Sequence, residues 1–189
     1  MKVISGQAHG HRLKAPHGMA TRPTSARVRE SIFSRLAARL DLTSLTVLDL
    51  FAGSGALGIE ALSRGAKAAI FVDSSRAAAS AIRGNLEALG FASRGRLLVA
   101  DARRALAGLA SEGIEFDLVM CDPPYERGLS ADILVRLCDL ALLARGGWVV
   151  LELSRREPVP EESRLERVSV ATLGDHRIAL YRQAEAKDH

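Results

Sequence analysis

The 189-residue chain has little of what builds disulfide frameworks or metal sites. Its two cysteines, Cys121 and Cys138, lie in apolar segments without the short spacing of a zinc site. We therefore expect them to be small buried thiols in a reducing compartment. The five histidines are scattered along the chain and show no ligand spacing either. These shortages predict a protein without a bound metal.

Long apolar runs are also missing. No run approaches the roughly 20 residues that cross a bilayer, Met1–Val3 does not resemble the start of a signal peptide, and there are no internal repeats. We expect a cytoplasmic protein without a membrane partner. Its length suits one domain with a sizeable core and little more. No surface pattern demands a dimer, so we expect a monomer.

Charge is distributed unevenly along the chain. Residues 1–40 contain eight Lys or Arg and one acid, Glu30, which is a net charge of +7. The whole chain has 26 basic and 22 acidic residues, so residues 41–189 hold 18 and 21 and have a net charge of −3. A basic arm on a slightly acidic body predicts a polyanionic partner, because Lys and Arg displace phosphate counterions. A solvated basic tail is the alternative.

From residue 46 onward, short β-prone runs alternate with longer helical segments. The runs predict strands at Thr46–Leu50, Ala68–Asp73, Arg96–Val99, Phe116–Cys121 and Gly147–Leu153. The segments between them predict helices near Gly58–Arg64, Arg76–Leu89, Ala102–Leu109 and Ser130–Leu143. Apolar strands separated by helices indicate an α/β fold of the Rossmann-like, doubly wound kind, with a mostly parallel sheet covered on both faces.

The two ends of the chain do not follow this alternation of strands and helices. Leu165–Val170 and Arg177–Arg182, joined by a Gly-Asp turn, predict an antiparallel hairpin that completes a seven-stranded sheet. Lys2–Ser5 and His11–Lys14 flank two glycines and predict a small basic hairpin. We therefore divide the chain into an N-terminal extension, residues 1–20, and a main domain, residues 21–189. A helix from Ser25 opens the main domain, with one apolar face.

A glycine-rich turn follows the first predicted strand. The segment Asp49–Gly58 reads D-L-F-A-G-S-G-A-L-G. Gly53 and Gly55 let the backbone approach a ligand closely, and the N-terminus of the next helix offers free N–H groups. The same glycines, together with Gly58, fit the dinucleotide pattern G-x-G-x-x-G. The loop alone therefore leaves the cofactor open.

Carboxylates around this loop help to distinguish between the two classes of cofactor. Asp49 would repel a pyrophosphate but suits a cofactor with an ammonium and a sulfonium group. Asp73 ends the second strand and is placed to accept hydrogen bonds from two ribose hydroxyls. Asp101 ends the third strand and is placed to accept an adenine amino group, although capping the next helix is the alternative. The predicted cofactor site comprises Asp49, Phe51, Gly53, Gly55, Asp73, Asp101 and Asp122.

The fourth strand ends in D-P-P-Y, Asp122–Tyr125. Two prolines cannot continue a helix or a central strand, so they hold an extended loop at the carboxyl edge of the sheet. The first and fourth strands are neighbours at the topological switch point of a doubly wound sheet. The glycine loop and this tetrapeptide should therefore face one crevice.

This tetrapeptide suits methylation of a flat amine, whose delocalised lone pair makes it a poor nucleophile. Asp122 accepts one N–H and the carbonyl of Pro123 the other, which favours the positive charge that develops on nitrogen. Tyr125 offers a ring on which the target base can stack. We predict these three residues as catalytic. A rigid turn with a capping Asp is the alternative.

Four segments resemble one family, the bacterial 16S rRNA (guanine(966)-N2)-methyltransferases. They are Thr21–Glu30 (T-R-P-T-S-A-R-V-R-E), Phe51–Gly65, Asp122–Leu129 and Arg177–Tyr181. The resemblance covers nearly the whole chain. It implies S-adenosylmethionine as methyl donor and, as substrate, 16S rRNA within a small-subunit assembly intermediate. One departure is Asp73, where family members often have Glu.

The resemblance also makes the basic N-terminal region the expected RNA interface. The residues expected to contact RNA are Arg12, Lys14, Arg22, Arg27 and Arg29. For Arg27 and Arg29, pairing with Glu30 or capping the core is an equal alternative.

Four other functions compete with guanine N2 methylation. N6-adenine methylation of DNA or RNA keeps the chemistry, but DNA enzymes of this kind usually carry a target-recognition domain for which 189 residues leave no room. An enzyme acting on a protein glutamine favours Asn in place of Asp122. A non-catalytic RNA-binding protein predicts degraded motifs, and neither motif is degraded. A dinucleotide oxidoreductase gives Asp122–Tyr125 no role.

Overall fold

A computed structural model describes residues 1–16, 25–124 and 128–184. Within these ranges the chain forms five helices and seven strands. The helices are α1 (Ala26–Ala37), α2 (Ala56–Ser63), α3 (Arg76–Ala88), α4 (Ala102–Ser111) and α5 (Leu129–Asp139). The strands are β1 (Thr46–Leu50), β2 (Ala68–Asp73), β3 (Gly95–Val99), β4 (Phe116–Cys121), β5 (Leu143–Ser154), β6 (Leu165–Leu173) and β7 (His176–Gln183). No helix in the described ranges is long and apolar enough to cross a membrane.

The strands form one sheet in the order β3-β2-β1-β4-β5-β7-β6. The first five of these pair in parallel, whereas β7 is antiparallel to both β5 and β6. This confirms the predicted α/β fold and its terminal hairpin. The strand order reverses between β1 and β4, so a crevice forms where the carboxyl ends of these strands separate.

Apolar side chains cover both faces of the sheet. One cluster packs α1, α2 and α3 against one face, and a second packs α4 and α5 against the other. Successive side chains of β4 point to opposite faces of the sheet, so Met120 belongs to the first cluster and Cys121 to the second. The strands are therefore nearly continuous apolar runs, as expected for a parallel sheet between two helical layers.

Helix α1 forms as its pattern predicts. Ser25 caps it by accepting a hydrogen bond from Val28 N at 3.2 Å. Its apolar face is fully buried and consists of Val28, Ile32, Phe33 and Leu36. This face anchors the helix to the first cluster of the core.

The boundary between α5 and β5 differs from the prediction. We expected a helix up to Leu143, but α5 ends at Asp139 and β5 begins at Leu143. Ala141 has a positive φ of 48°, which breaks the helix. Leu142 and Leu143 are buried after this break. A short apolar run is compatible with a buried helix and with a buried strand, so the periodicity of the sequence could not show where α5 ends and β5 begins.

Residues 1–16 pack against the main domain. Val3, Ala8 and Leu13 are buried in the cluster that contains α2 and α3. The predicted hairpin is represented by a single antiparallel bridge, Lys2 to Arg12. At Gly6, which has a φ of 83°, an added Cβ would collide with the backbone of α2. The predicted boundary after residue 20 lies among residues 17–24, outside the described residues.

Candidate active site

A cavity of about 570 Å³ opens at the carboxyl edge of the sheet. Its size is typical of sites for small molecules and cofactors. Its polar lining consists of Asp49, Ser54, Asp73, Ser74, Asp122, Glu152, Ser154, Asp175 and His176. The glycine loop and the prolines of the D-P-P segment also line it. The structure thus brings the two predicted motifs into one crevice.

Strand alternation explains why so many ionisable side chains meet here. Residues two positions apart on a strand share a face. Met120 and Val150 belong to the first core cluster, so Asp122 and Glu152 continue the same face beyond them. Ile178 belongs to that cluster too, and β7 runs antiparallel, so His176 points to the same edge.

Asp49 is the most enclosed acid of the cavity. It is 1% exposed, and its Oδ2 accepts a hydrogen bond from Gly58 N at 2.8 Å. Burial raises the pKa of Asp49 to about 8; the Gly58 hydrogen bond opposes this rise, while the charges of Asp122 and Asp73 add to it. Gly58 is required there, because a Cβ would collide with the ring of Phe71.

Asp73 ties the glycine loop to the end of β2. Its Oδ2 accepts a hydrogen bond from Gly53 N and its Oδ1 from Ser75 N, each at 2.8 Å. Both oxygens are therefore held in place at the cavity wall. The loop itself is contorted, since Phe51 has a φ of 63° and Gly55, at the start of α2, a φ of 77°. For a residue with a Cβ such as Phe51 this costs roughly 1–2 kcal/mol, a strain that is typical of functional sites.

The D-P-P segment closes the other side of the crevice. Asp122 is half-buried and Pro123 is buried. Asp122 N donates a long hydrogen bond of 3.5 Å to Leu50 O, which links the segment to the end of β1. Tyr125 lies outside the described residues.

Asp101 occupies the capping position that was its alternative role. It is exposed and accepts hydrogen bonds from Arg103 N at 2.9 Å and Arg104 N at 3.3 Å, at the start of α4. Among the described residues that line the cavity, Asp101 is not included. Its contact with an adenine stays a prediction.

Sequence reasoning missed a buried pair at the cavity. Glu152 Oε1 and His176 Nδ1 are 2.7 Å apart, and both residues line the cavity. Glu152 is 2% and His176 8% exposed, so both side chains are buried. The available signal was Glu152 itself, because it is a lone acid inside the apolar run G-W-V-V-L-E-L.

The predicted RNA-contacting residues divide into three groups. Arg12, Lys14 and Arg27 are exposed, and Arg22 lies outside the described residues. Arg29 is 2% exposed and donates a hydrogen bond to Lys2 O at 2.8 Å. The structure gives no support to an RNA contact of Arg29 and shows the internal role that was its alternative, because the guanidinium is inside the protein and holds the N-terminal segment.

Glu60 on α2 accepts two further hydrogen bonds from that segment, and no role had been predicted for this residue. It is 1% exposed and accepts hydrogen bonds from Ile4 N at 2.7 Å and Ser5 N at 3.0 Å. It also pairs with Arg64 at 2.8 Å. Burial lowers the pKa of Arg29, and the negative charge of Glu60 opposes that change. The segment matters for the site because Met1, Ala15 and Pro16 form part of the cavity wall.

The strand order, the antiparallel β7 and the crevice between β1 and β4 define the protein as a class I methyltransferase. A family model described as conserved hypothetical protein 95 matches residues 1–182. The chain is 36% identical to Ribosomal RNA small subunit methyltransferase D of Escherichia coli K12, over 99% of this chain and 91% of that protein. It belongs to the ribosomal RNA small subunit methyltransferase D family.

Further similarities agree with this membership. The Bacillus subtilis protein YlbH is 38% identical, over 97% of this chain and 99% of that protein. The solved structure of Escherichia coli yhhF superposes with a TM-score of 0.84 at 33% identity, covering 98% and 99% of the two chains. SMU.776, solved in complex with SAH, shares the fold at a TM-score of 0.68 and 14% identity, covering 82% of this chain and 49% of its own.

Proposed function

We propose that this protein transfers a methyl group from S-adenosylmethionine to the exocyclic N2 of a guanine in 16S rRNA of the small ribosomal subunit. The observation that carries the proposal is the shared cavity of Asp122, Pro123 and the glycine loop beside Asp49. An RNA of the small subunit is supported by the name of the Escherichia coli relative. Guanine N2 rests on the resemblance of the four segments to the guanine-N2 methyltransferases.

The charge of the cavity supports this cofactor. Asp49, Asp73 and Asp122 face a single cavity in a chain whose formal net charge is +4. Such a concentration of acidic side chains disfavours a pyrophosphate and favours a ligand with an ammonium and a sulfonium group, whose positive charges stabilise the carboxylate form. Asp73, held at the end of β2, is assigned to the ribose hydroxyls. The complex of SMU.776 with SAH shows that this fold accommodates the demethylated product in that protein.

Asp122 and Pro123 are assigned to the target amine. The sulfonium supplies an already activated methyl group, so the protein mainly has to align the nitrogen with it. Asp122 and the carbonyl of Pro123 accept the two N–H groups and direct the lone pair toward the methyl. With the donor bound, methyl transfer would leave its sulfur as a neutral thioether and place positive charge on the target nitrogen, where Asp122 would stabilise it. The nitrogen would then give one proton to solvent water and become a neutral secondary amine.

Nucleoside mass spectrometry tests the assignment. Small-subunit particles from cells that lack the protein are analysed before and after incubation with the protein and S-adenosylmethionine. We expect N2-methylguanosine to increase in the 16S rRNA of these particles. N6-methyladenosine in its place would identify the competing adenine activity. No new methylated nucleoside would contradict the proposal.

Proton release should accompany cofactor binding at pH 7. Asp49 has a pKa of about 8, so at pH 7 most of it is protonated in the free protein. A cationic ligand favours the carboxylate, so binding should release about one proton per cofactor. Calorimetry in two buffers of different ionisation enthalpy measures this number. Asp49→Asn keeps an acceptor for Gly58 N but should abolish the release; equal release by both proteins would remove Asp49 from the cofactor site.

Reversing charge on the N-terminal arm should weaken use of the RNA substrate. Arg12 and Lys14 are exposed, so Arg12→Glu with Lys14→Glu should raise KM for the particles about tenfold or more at physiological salt. Cofactor affinity should stay within about twofold, because neither residue lines the described part of the cavity. The control is Lys67→Glu with Arg145→Glu, an equal change at the amino edge of the sheet. Equal effects of both pairs would contradict a specific RNA interface on this arm.

A further inference from the structure

The pair formed by Glu152 and His176 has no part in the chemistry assigned so far. Both residues are almost fully buried, their side chains are 2.7 Å apart, and both line the cavity. A carboxylate has about four lone-pair sites, so Glu152 can accept a hydrogen bond from a ligand in the cavity as well as from its protein partners. The acids of the cofactor end already account for an ammonium, a sulfonium and two hydroxyls.

The register of the sheet places this pair at the end of the cavity where the target base is proposed to bind. Cys121 pairs with Leu151 in parallel register. The next residues, Asp122 after β4 and Glu152 in β5, therefore lie beside each other. Adjacent strands are roughly 4.8 Å apart. Asp73 lies on the far side, with β1 and β4 between it and Glu152. Glu152 is therefore next to the residue assigned to the amine and away from the residue assigned to the ribose.

The Watson–Crick edge of guanine offers a suitable group for this position. Beside the N2 amine, guanine carries an N1–H donor, whereas adenine carries an N1 acceptor next to its own amine. A carboxylate only accepts hydrogen bonds. When Asp122 and Pro123 hold the amine of guanine, N1–H is the next donor on that edge and can donate to the carboxylate of Glu152. With adenine held in the same way, the lone pair of N1 would face that carboxylate, and no hydrogen bond could form.

We propose that Glu152 selects guanine by accepting its N1–H, and that His176 is a positioning residue that holds the carboxylate in that orientation. This inference rests on the proposed function, because it concerns the base whose N2 is methylated. It gives the site a means of distinguishing two purines that both present an exocyclic amine. A site built around a hydrogen bond rejects an analogue that lacks the donor far more strongly than an apolar pocket rejects a change of size.

The test uses a base that keeps the N2 amine but lacks N1–H. Small-subunit particles are reconstituted on 16S rRNA that carries either guanosine or 2-aminopurine riboside at the mapped target nucleotide. Single-turnover methyl transfer is measured with wild type, Glu152→Gln and His176→Asn. Wild type should prefer guanosine by about 100-fold. Glu152→Gln should reduce this preference at least about tenfold, because its amide can donate to the N1 of 2-aminopurine, and His176→Asn should reduce it less.

The matched control is Asp117→Asn, an acid on β4 that accepts a hydrogen bond from Thr46 N at the opposite edge of the sheet. It should retain the wild-type preference. Equal rates of wild type on both particles would overturn the inference without any variant. An unchanged preference in a folded Glu152→Gln protein, with cofactor affinity intact, would overturn it as well. Failure of wild type to methylate guanosine at all would instead contradict the proposed function.

Discussion

Asp122→Ala should lower the single-turnover rate of methyl transfer by about 10²–10³-fold. Asp122 lines the cavity beside Pro123 and is the carboxylate proposed to stabilise positive charge on the target nitrogen. The positive charge on nitrogen is small in the ground state and largest in the transition state, so removing the carboxylate should lower the rate far more than it weakens substrate binding.

The same variant should bind cofactor within a few-fold of wild type, because Asp49 and Asp73 are assigned most of the cofactor contacts. Calorimetry and thermal melting provide these two measurements. Asp122→Asn is the informative companion, since it keeps the volume and one acceptor but not the charge, and it should lie between wild type and Asp122→Ala in rate. If cofactor binding and melting temperature fall together with the rate, Asp122 is a structural residue and the catalytic assignment is wrong.

Glu60→Ala should lower the free energy of unfolding by about 3–5 kcal/mol. The substitution leaves the backbone N–H groups of Ile4 and Ser5 without their acceptor and removes the partner of Arg64. It also removes the negative charge that opposes the desolvation of the buried Arg29. A buried charge without its partner is among the most destabilising single changes. Urea denaturation monitored by circular dichroism measures the effect.

Two comparisons sharpen this prediction. Glu115 is an exposed acid, and Glu115→Ala should change stability by no more than about 0.5 kcal/mol. Glu60→Gln keeps one acceptor oxygen and should be less destabilised than Glu60→Ala. Because Met1, Ala15 and Pro16 form part of the cavity wall, both Glu60 variants should also bind cofactor more weakly. A loss below about 1 kcal/mol for Glu60→Ala would show that Glu60 adds little to the docking of the N-terminal segment, which Ser63 and Asn85 also hold by hydrogen bonds.

The strands whose limits could be predicted share a local signal. Thr46–Leu50, Ala68–Asp73 and Phe116–Cys121 are short, mostly apolar runs with strand-forming residues, and the structure has all three with those limits. The predicted ends of these strands also indicated where much of the candidate site lies. Asp49, Asp73 and Asp122 were predicted from their places in or directly after a strand, and a parallel sheet brings such ends to one edge.

Other features escaped prediction because they depend on contacts between distant parts of the chain. Glu60 meets Ile4 across 56 positions, and Glu152 meets His176 across a strand pairing whose register the sequence does not specify. Arg29 carries the same charge as Arg27, yet only Arg29 is buried. On a helix two residues apart, the side chains point in different directions, and the face that is buried depends on what packs there.

The sequence by itself determined the α/β fold, the glycine loop and the D-P-P segment at one edge, since these follow from periodicity, turn chemistry and the geometry of a parallel sheet. The tertiary structure alone decided that Glu152 and His176 also face the cavity and that Glu60 and Arg29 hold the fold together. Residue type does not separate these roles. They depend on burial and on partners from distant segments, which place Glu152 beside His176 at the cavity and leave Arg29 buried while Arg27 is exposed.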